Sequence, residues 1–352
     1  MDMRGKVTIQ EIADMAGVSK FAVSRALSGK SGVSEQTREM ILRVAGQLGY
    51  FKNQAPKRFD GELRDAEDRK WTGTIVILFP NIRYQNRESS YWGPVFDGVT
   101  ARLSQKGLNV VTLTEPSGDH MFNFLKPEAI RGIITIGSIS TQVLLDIGQL
   151  EIPVVMVDHS DPAYQCDTVF ADNFECMREL TTKLVSKGYR SFQFVGNISD
   201  APSFYERWLA FRSTLENCQI EHKQNPLLIG PEADEPFRLF KYWPFGELPE
   251  VFVCVNDVIA NFLIEELAKR DIRVPEDCAV TGFDKTHSDS PILATVDVNK
   301  ELLGMRAVDQ LLWRIVNPDS ASEKKLIRGD VVIRDAFGSA VREHVRTGDG
   351  RS

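Results

Sequence analysis

The chain has 352 residues, 42% of them hydrophobic and 26% charged, with a formal net charge of −7 at pH 7. That length exceeds one ordinary domain, and the composition suits a globular chain with a sizeable core rather than a disordered one. No apolar run approaches the ~20 residues that a membrane-spanning helix needs, and Met1 to Lys6 lead into no apolar stretch of a secretory signal.

The first segment, residues 6–49, reads as three short helices. Thr8-Ile9-Gln10-Glu11 has the spacing of a capping box, after which Ile9, Ile12, Ala13 and Ala16 recur on one helical face. Gly17 stops that helix. Ser19 can cap a second helix over 20–27, with Ala22, Val23 and Ala26 inward. Ser34 can cap a third, with Thr37, Ile41, Val44, Ala45 and Leu48 on its buried side. Helix, tight turn, helix and a third packing helix make a helix-turn-helix pattern. Residues 1–59 contain ten basic and five acidic residues, a net of +5, so the remainder carries −12. A small basic head on an acidic body suits DNA binding better than the overall charge suggests.

Residues 60–72 are dense in charge and nearly devoid of core formers, and read as a solvated linker. From residue 73, strand-length apolar runs appear at 74–79, 109–113, 132–136, 154–157, 191–195, 251–255 and 279–283. Helical patterns fall at 95–106, 176–187, 206–217, 258–270 and 300–316. This alternation predicts parallel sheets covered on both faces, and residues 73–340 are long enough for two such lobes. Ligands of such sheets bind outside the carboxyl ends of the strands. The tail, residues 341–352, is polar and lacks an apolar heptad, so no coiled-coil assembly is expected there. The five cysteines (Cys166, Cys176, Cys218, Cys254 and Cys278) are scattered and form no C-x-x-C pair. They read as reduced, mostly buried thiols of a cytosolic protein. The five histidines show no metal-ligand spacing, so no metal or cofactor is expected. No G-x-G-x-x-G, phosphate-binding loop, nucleophile elbow or paired-carboxylate motif supports an enzyme, and no catalytic residue is assigned.

The stretch from Val7 through Ser28 resembles the head signature of the LacI/GalR family almost position for position, and Val33-Ser34 to Gly49-Tyr50 resembles its third helix. Further landmarks of that family are matched by Ile152-Pro153-Val154-Val155 with Asp158, by Asp172-Asn173, by Lys187-Gly188-Tyr189-Arg190, and by the segment from Asn256-Asp257 through Val274-Pro275 to Gly282-Phe283-Asp284. The resemblance implies a helix-turn-helix head joined to a periplasmic-binding-protein-like (type I) sensor of two parallel-sheet lobes. It implies a cytoplasmic, nucleoid-associated transcriptional regulator, expected to act as a repressor. Such a homodimer would grip or release a near-palindromic operator when a small ligand binds between its lobes.

The second helix of such a head lies in the major groove. Lys20, Phe21, Ser24 and Arg25 project together from it. Arg25 can pair with guanine, and Lys20 with guanine or a phosphate. A polar residue is common in the family where Phe21 stands. Phe21 cannot hydrogen-bond a base and is expected either to meet a thymine methyl or to pack within the head. Ser19, Ser34 and Thr37 sit near helix N-termini and suit phosphate contacts as well as capping. The resemblance further implies a hinge helix after Tyr50, with Asn53 as its cap and Phe59 in the place of a minor-groove wedge. Pro56 is tolerable only in the first turn of that helix.

For the sensor, the resemblance implies that Arg207 clamps the ligand, that Asn256 and Asp284 bind it and that Phe170 packs on it. Ser203 lies one turn before Arg207 on the same face, and Tyr91 and Trp92 are further candidates. A polyol requires planar hydrogen-bonding groups and an aromatic platform, so a sugar or sugar derivative is the expected effector. A purine or amino sugar would use the same side chains. Asp257 is expected to stabilise the helix that follows it, Asp158 and Asp172 to be structural acceptors, and Trp208 and Phe211 to be core.

Overall fold

The computed structural model describes residues 7–51, 71–80, 85–114, 127–231, 248–287 and 289–334. The first segment folds as α1 (Ile9–Ala16), α2 (Lys20–Leu27) and α3 (Glu35–Leu48). Each helix begins where its cap predicts. The Thr8 hydroxyl accepts from the Glu11 N–H at 3.3 Å, and the Glu11 carboxylate takes the Thr8 N–H at 2.7 Å, closing the capping box. Ser19 and Ser34 accept from the Ala22 and Thr37 N–H groups, each at 3.2 Å. Gly17 ends α1 with φ +64°, in the left-handed region that a glycine enters freely. The orphan carbonyls at the end of α2 are met by Arg38, whose guanidinium donates to Ala26 O at 2.8 Å. The core of the head is Ile12, Ala13, Val23, Ala26, Ile41 and Ala45. Ile9, expected to face inward, is 37% exposed, because it occupies the first turn before α1 meets its neighbours.

The chain then builds two sheets. The first contains β1 (Thr74–Leu78), β2 (Asn109–Leu113), β3 (Ile130–Ile136), β4 (Val154–Val157), β5 (Asp167–Ala171) and β10 (Lys324–Ile327), in the order β10-β5-β4-β3-β1-β2. Its neighbours from β5 through β2 pair in parallel. On one face Val76, Leu78, Ile133 and Met156 bury against Leu144 and Ile147 of α5 (Thr141–Gly148). The other face is covered by α4 (Trp92–Gln105) and α9 (Lys300–Val316). These two helices meet backbone to backbone. A methyl group on Gly98 would stand 2.1 Å from the Glu301 carbonyl oxygen, and one on Gly304 would stand 2.1 Å from that of Val95. Gly98→Ala should therefore force the helices apart and lower stability by about 1–3 kcal/mol. Urea unfolding of the full chain measures it, and an unchanged midpoint would show that the crossing can relax.

The second sheet contains β6 (Phe192–Val195), β7 (Val251–Cys254), β8 (Ala279–Thr281), β9 (Ala294–Asp297) and β11 (Asp330–Ile333), in the order β11-β9-β8-β7-β6. It is parallel except for β11, which runs antiparallel to β9. Phe252, Cys254 and Val280 bury against α8 (Asp257–Ala268). On the other face Phe192 and Phe194 meet Trp208 and Phe211 of α7 (Pro202–Asn217), which packs on α6 (Asn173–Ser186). Trp208 and Phe211 are core, as expected.

Two compact units result. One comprises the chain up to Phe170 with Lys300–Leu326, and the other Ala171–Asn299 with the chain from Ile327 on. All seven predicted strands and five predicted helices of the body form. Four strands (β5, β9, β10 and β11) and α5 were not predicted. β5 opens on Asp167-Thr168, and β10 and β11 alternate exposed and half-buried residues at an edge, so none carries a continuous apolar run. Several helices also begin earlier than their apolar periodicity, because α6 and α8 are capped by Asp172 and Asn256 and α7 starts at Pro202, all polar or turn-forming positions. The sequence places the linker at 60–72 and a polar tail at 341–352. Residues 52–70 and the tail lie outside the described residues.

Candidate DNA-reading surface and effector site

The N-terminal end of α2 presents Lys20, Phe21 and Ser24, all exposed. Phe21 is 68% exposed, so its ring does not pack within the head. The Arg25 guanidinium lies over that ring, 5.2 Å from its centroid, while its Nε donates to the Ser31 carbonyl. Arg25 is thus half-buried and anchored, whereas Lys20 and Phe21 reach outward. The Ser34 and Thr37 hydroxyls bond each other at 2.7 Å, and Ser19 caps α2. Ser19 and Ser34 serve as caps and Thr37 lies in the first turn that Ser34 caps, so all three stand at helix N-termini. Asn53 and Phe59 lie outside the described residues.

In the second unit, α7 carries Arg207 inward until it is 2% exposed. Its Nε donates to Asn173 Oδ1 at 2.9 Å, Nη1 to the Val255 carbonyl at 2.6 Å and Nη2 to Asp284 Oδ1 at 3.0 Å. The guanidinium also stacks on Phe283, 3.7 Å from the ring centroid. Arg207 therefore organises other groups: it orients the Asp284 carboxylate and the Asn173 amide, and Asn173 in turn donates to Glu206 at 3.3 Å. Asn173, Val255 and Asp284 all follow the carboxyl ends of strands, where ligands of parallel sheets bind. Asp284 and Lys285 hold φ of +86° and +49°, backbone that non-glycine residues seldom adopt and that clusters at functional sites. Asn256 is half-buried, and its Oδ1 accepts from the Ile259 N–H at 2.9 Å as the cap of α8. Ser203 is half-buried in the first turn of α7.

Asp257 is structural, but its side-chain bonds to Thr286 and Thr295 run to the loop after β8 and to β9 rather than to the N–H groups of α8. Its carboxylate is buried and accepts from the Thr295 hydroxyl and the Thr286 N–H, each at 2.7 Å. Burial pushes its pKa up to about 6 from 3.8; the Thr295 bond opposes the rise and the Asp284 charge adds to it. A carboxyl whose folded pKa is raised gives its stabilisation in full below pH 3.8, and that stabilisation is lost as pH rises through about 6. Asp257→Asn should therefore be more stable than the parent at pH 7.5, with the gap closing toward pH 4. Urea unfolding across that range checks it, and a gap independent of pH would refute it.

In the first unit, the Tyr91 hydroxyl donates to Asp158 Oδ2 at 3.0 Å, and Trp92 meets Tyr91 edge-on at 4.8 Å. Asp158 follows β4 with φ +54°. Phe170 is buried, with the Lys324 ammonium 4.7 Å from its ring centroid. Gln85, which the sequence did not single out, clasps the loop after β3 by accepting from the Ser138 N–H at 2.7 Å. Asn173 was legible only as a landmark, because β5, which delivers it, was not predicted. Glu206 and Phe283 sit directly beside predicted residues but carry no pattern of their own.

Comparison with known proteins places both parts. Residues 8–53 match the profile described as bacterial regulatory proteins, lacI family, and residues 181–337 match that of a periplasmic binding protein-like domain. An HTH-type transcriptional repressor PurR of Vibrio atlanticus is 26% identical over 325 residues, covering 89% of this chain and 93% of that protein. The HTH-type transcriptional regulator CelR of Thermobifida fusca is 24% identical over 348 residues, 96% of this chain and all of the relative. Among solved structures, a CelR–cellobiose complex aligns with a TM-score of 0.64 at 22% identity, over 94% of this chain and 99% of that one. The lac repressor dimer bound to operator and the anti-inducer ONPF aligns at 0.60 with 21% identity, over 95% and 99%. These two structures share the fold.

Proposed function

Because the chain belongs to the LacI family of bacterial regulatory proteins and is a ligand-controlled DNA-binding transcriptional regulator, not an enzyme, we propose that it represses transcription as a cytoplasmic, nucleoid-associated homodimer on a near-palindromic operator. In this reading α2 enters the major groove. Lys20 donates to guanine or a phosphate, Phe21 meets a thymine methyl, and Arg25, held over the Phe21 ring with its Nε on Ser31, pairs with guanine through its terminal N–H groups. Ser19, Ser34 and Thr37 line phosphates at the N-termini of α2 and α3. Two-fold symmetry of the protein would be matched by that of the operator.

The effector is a sugar or sugar derivative. The observation that carries this is the set of planar groups that Arg207 organises at the strand ends: the Asp284 carboxylate and Asn173, with Glu206 and Asn256 beside them and the Phe283 ring behind. Paired acceptors and amides suit adjacent hydroxyls, and ring faces suit the apolar side of a sugar. The cellobiose bound to the CelR structure agrees with that class.

Selection of operators from a random duplex pool by the full chain tests the DNA half. The expected product is a near-palindrome. Phe21→Ala should relax one symmetric T·A position by about 1–3 kcal/mol of discrimination and leave the other positions alone. A pool without two-fold symmetry, or a Phe21 variant with unaltered preference, would sink this assignment.

A further inference from the structure

The head is joined to the first sheet by more than the chain between them. Glu39 of α3 accepts a hydrogen bond from the Thr141 N–H at 2.6 Å, so its carboxylate occupies the N-terminus of α5. One side of α3 also touches the lobe through bare backbone: a methyl on Gly46 would stand 2.4 Å from the Ala163 nitrogen. Leu42 and Gly46 are buried although neither belongs to the core of the head. The lobe half is equally constructed. Buried Asp161 accepts from the Thr141 hydroxyl at 2.6 Å and from the Ala163 N–H at 2.7 Å. The half-buried His159 ring lies within reach of the charges of Asp161, Arg43 and Glu39.

Two observations give this contact a purpose. It leaves Lys20, Phe21 and Ser24 exposed, so a seated head can still read DNA. The lobe half also rides on the loops after β3 and β4, residues 137–141 and 158–163. Those loops are the ones clasped by Gln85 at Ser138 and by Tyr91 at Asp158. A cleft of about 630 Å³, bounded by Leu27 and Leu42 of the head and by Leu145 and Tyr164 of the lobe, lies beside the seat.

We infer that the sensor lobe orients the reading head directly, through a seat made by Glu39, Leu42 and Gly46 on α3 and by Thr141, Asp161 and Ala163 on the lobe. The seat is a route by which the sensor's state reaches the DNA. This rests on the reading of the chain as an operator-binding regulator, and its test keeps the two separable.

The test compares the full wild-type chain with Glu39→Ala and Gly46→Gln. Gly46 lies inside α3, so glutamine raises helix propensity while placing a side chain in the seat. Glu39→Ala removes one carboxylate and buries nothing new. Hydrogen exchange is read at peptides spanning 138–143 and 9–16, and anisotropy is read on the duplex that the wild-type chain selects. Both variants should speed exchange at the Thr141 amide tenfold or more and leave 9–16 unchanged. Both should weaken duplex binding about tenfold, because a head no longer held must be ordered on the DNA. Unchanged exchange at Thr141 would overturn the seat. Faster exchange with unchanged duplex affinity would overturn its role in DNA binding, leaving the regulator itself established by the wild-type result.

Discussion

Replacing Asp167 with alanine is expected to destabilise the sensor by about 3–5 kcal/mol, because it takes the counter-charge from a largely enclosed arginine. The Asp167 side chain is fully buried at the start of β5. Its two oxygens take a bidentate pair from Arg314 of α9, at 2.6 and 2.9 Å. Gln310 donates to it at 2.8 Å, and so does the Glu323 N–H. Arg314 also donates to the Ser320 and Ala321 carbonyls at 2.6 and 2.7 Å, tying down the turn that leads into β10. One carboxylate thus fastens the returning chain to the first sheet. The pair need not be worth that much in itself, since desolvating two charges offsets much of their attraction. The prediction concerns the orphan. Urea unfolding should show a large loss for Asp167→Ala and a smaller one for Asp167→Leu with Arg314→Met. A loss below about 1 kcal/mol in the single variant would mean that water reaches Arg314.

Arg207→Ala should cost a similar amount, about 3–5 kcal/mol, and should also abolish the response to the effector. The Asp284 carboxylate would lose the guanidinium that orients it. Asn173 would lose the donor that fixes its amide, and the Phe283 face would lose its stacked cation. Arg207→Lys separates fold from function. It keeps the charge but cannot serve Asn173, Val255 and Asp284 from one rigid plane. It should fold with a smaller loss, bind the selected duplex as the parent does and fail to respond to ligand. A lysine variant with a normal response would show that Arg207 acts through charge alone.

The contrast between these two clusters and the head shows what a sequence makes visible. The helices of the head begin at Thr8, Ser19 and Ser34 because each cap bonds a backbone N–H three residues away, a distance that a short window spans. The buried central strands announce themselves as apolar runs for the same local reason. β5 begins with Asp167, whose charge is reconciled with burial by Arg314, 147 residues later, together with Gln310 and the Glu323 N–H, so the strand could not be seen from its own residues. The site divides in the same way. Arg207, Asn256 and Asp284 were reached through a family resemblance. The chemistry of Arg207 depends on partners 34, 48 and 77 residues away. The resemblance offers it as a clamp for ligand, and the fold adds that it positions Asn173 and Asp284. Phe21 was left open between packing and DNA contact, and its exposure removes the packing reading.

The most direct test is fluorescence anisotropy of the purified full chain on the duplex it selects, with and without a panel of sugars, amino sugars and purines. The account predicts specific binding that at least one sugar or sugar derivative shifts tenfold or more, about 1.4 kcal/mol, and that Arg207→Lys no longer allows to shift. Specific binding that responds only to a purine would move the effector to another class while keeping the regulator. Failure to bind any selected duplex specifically would contradict the account.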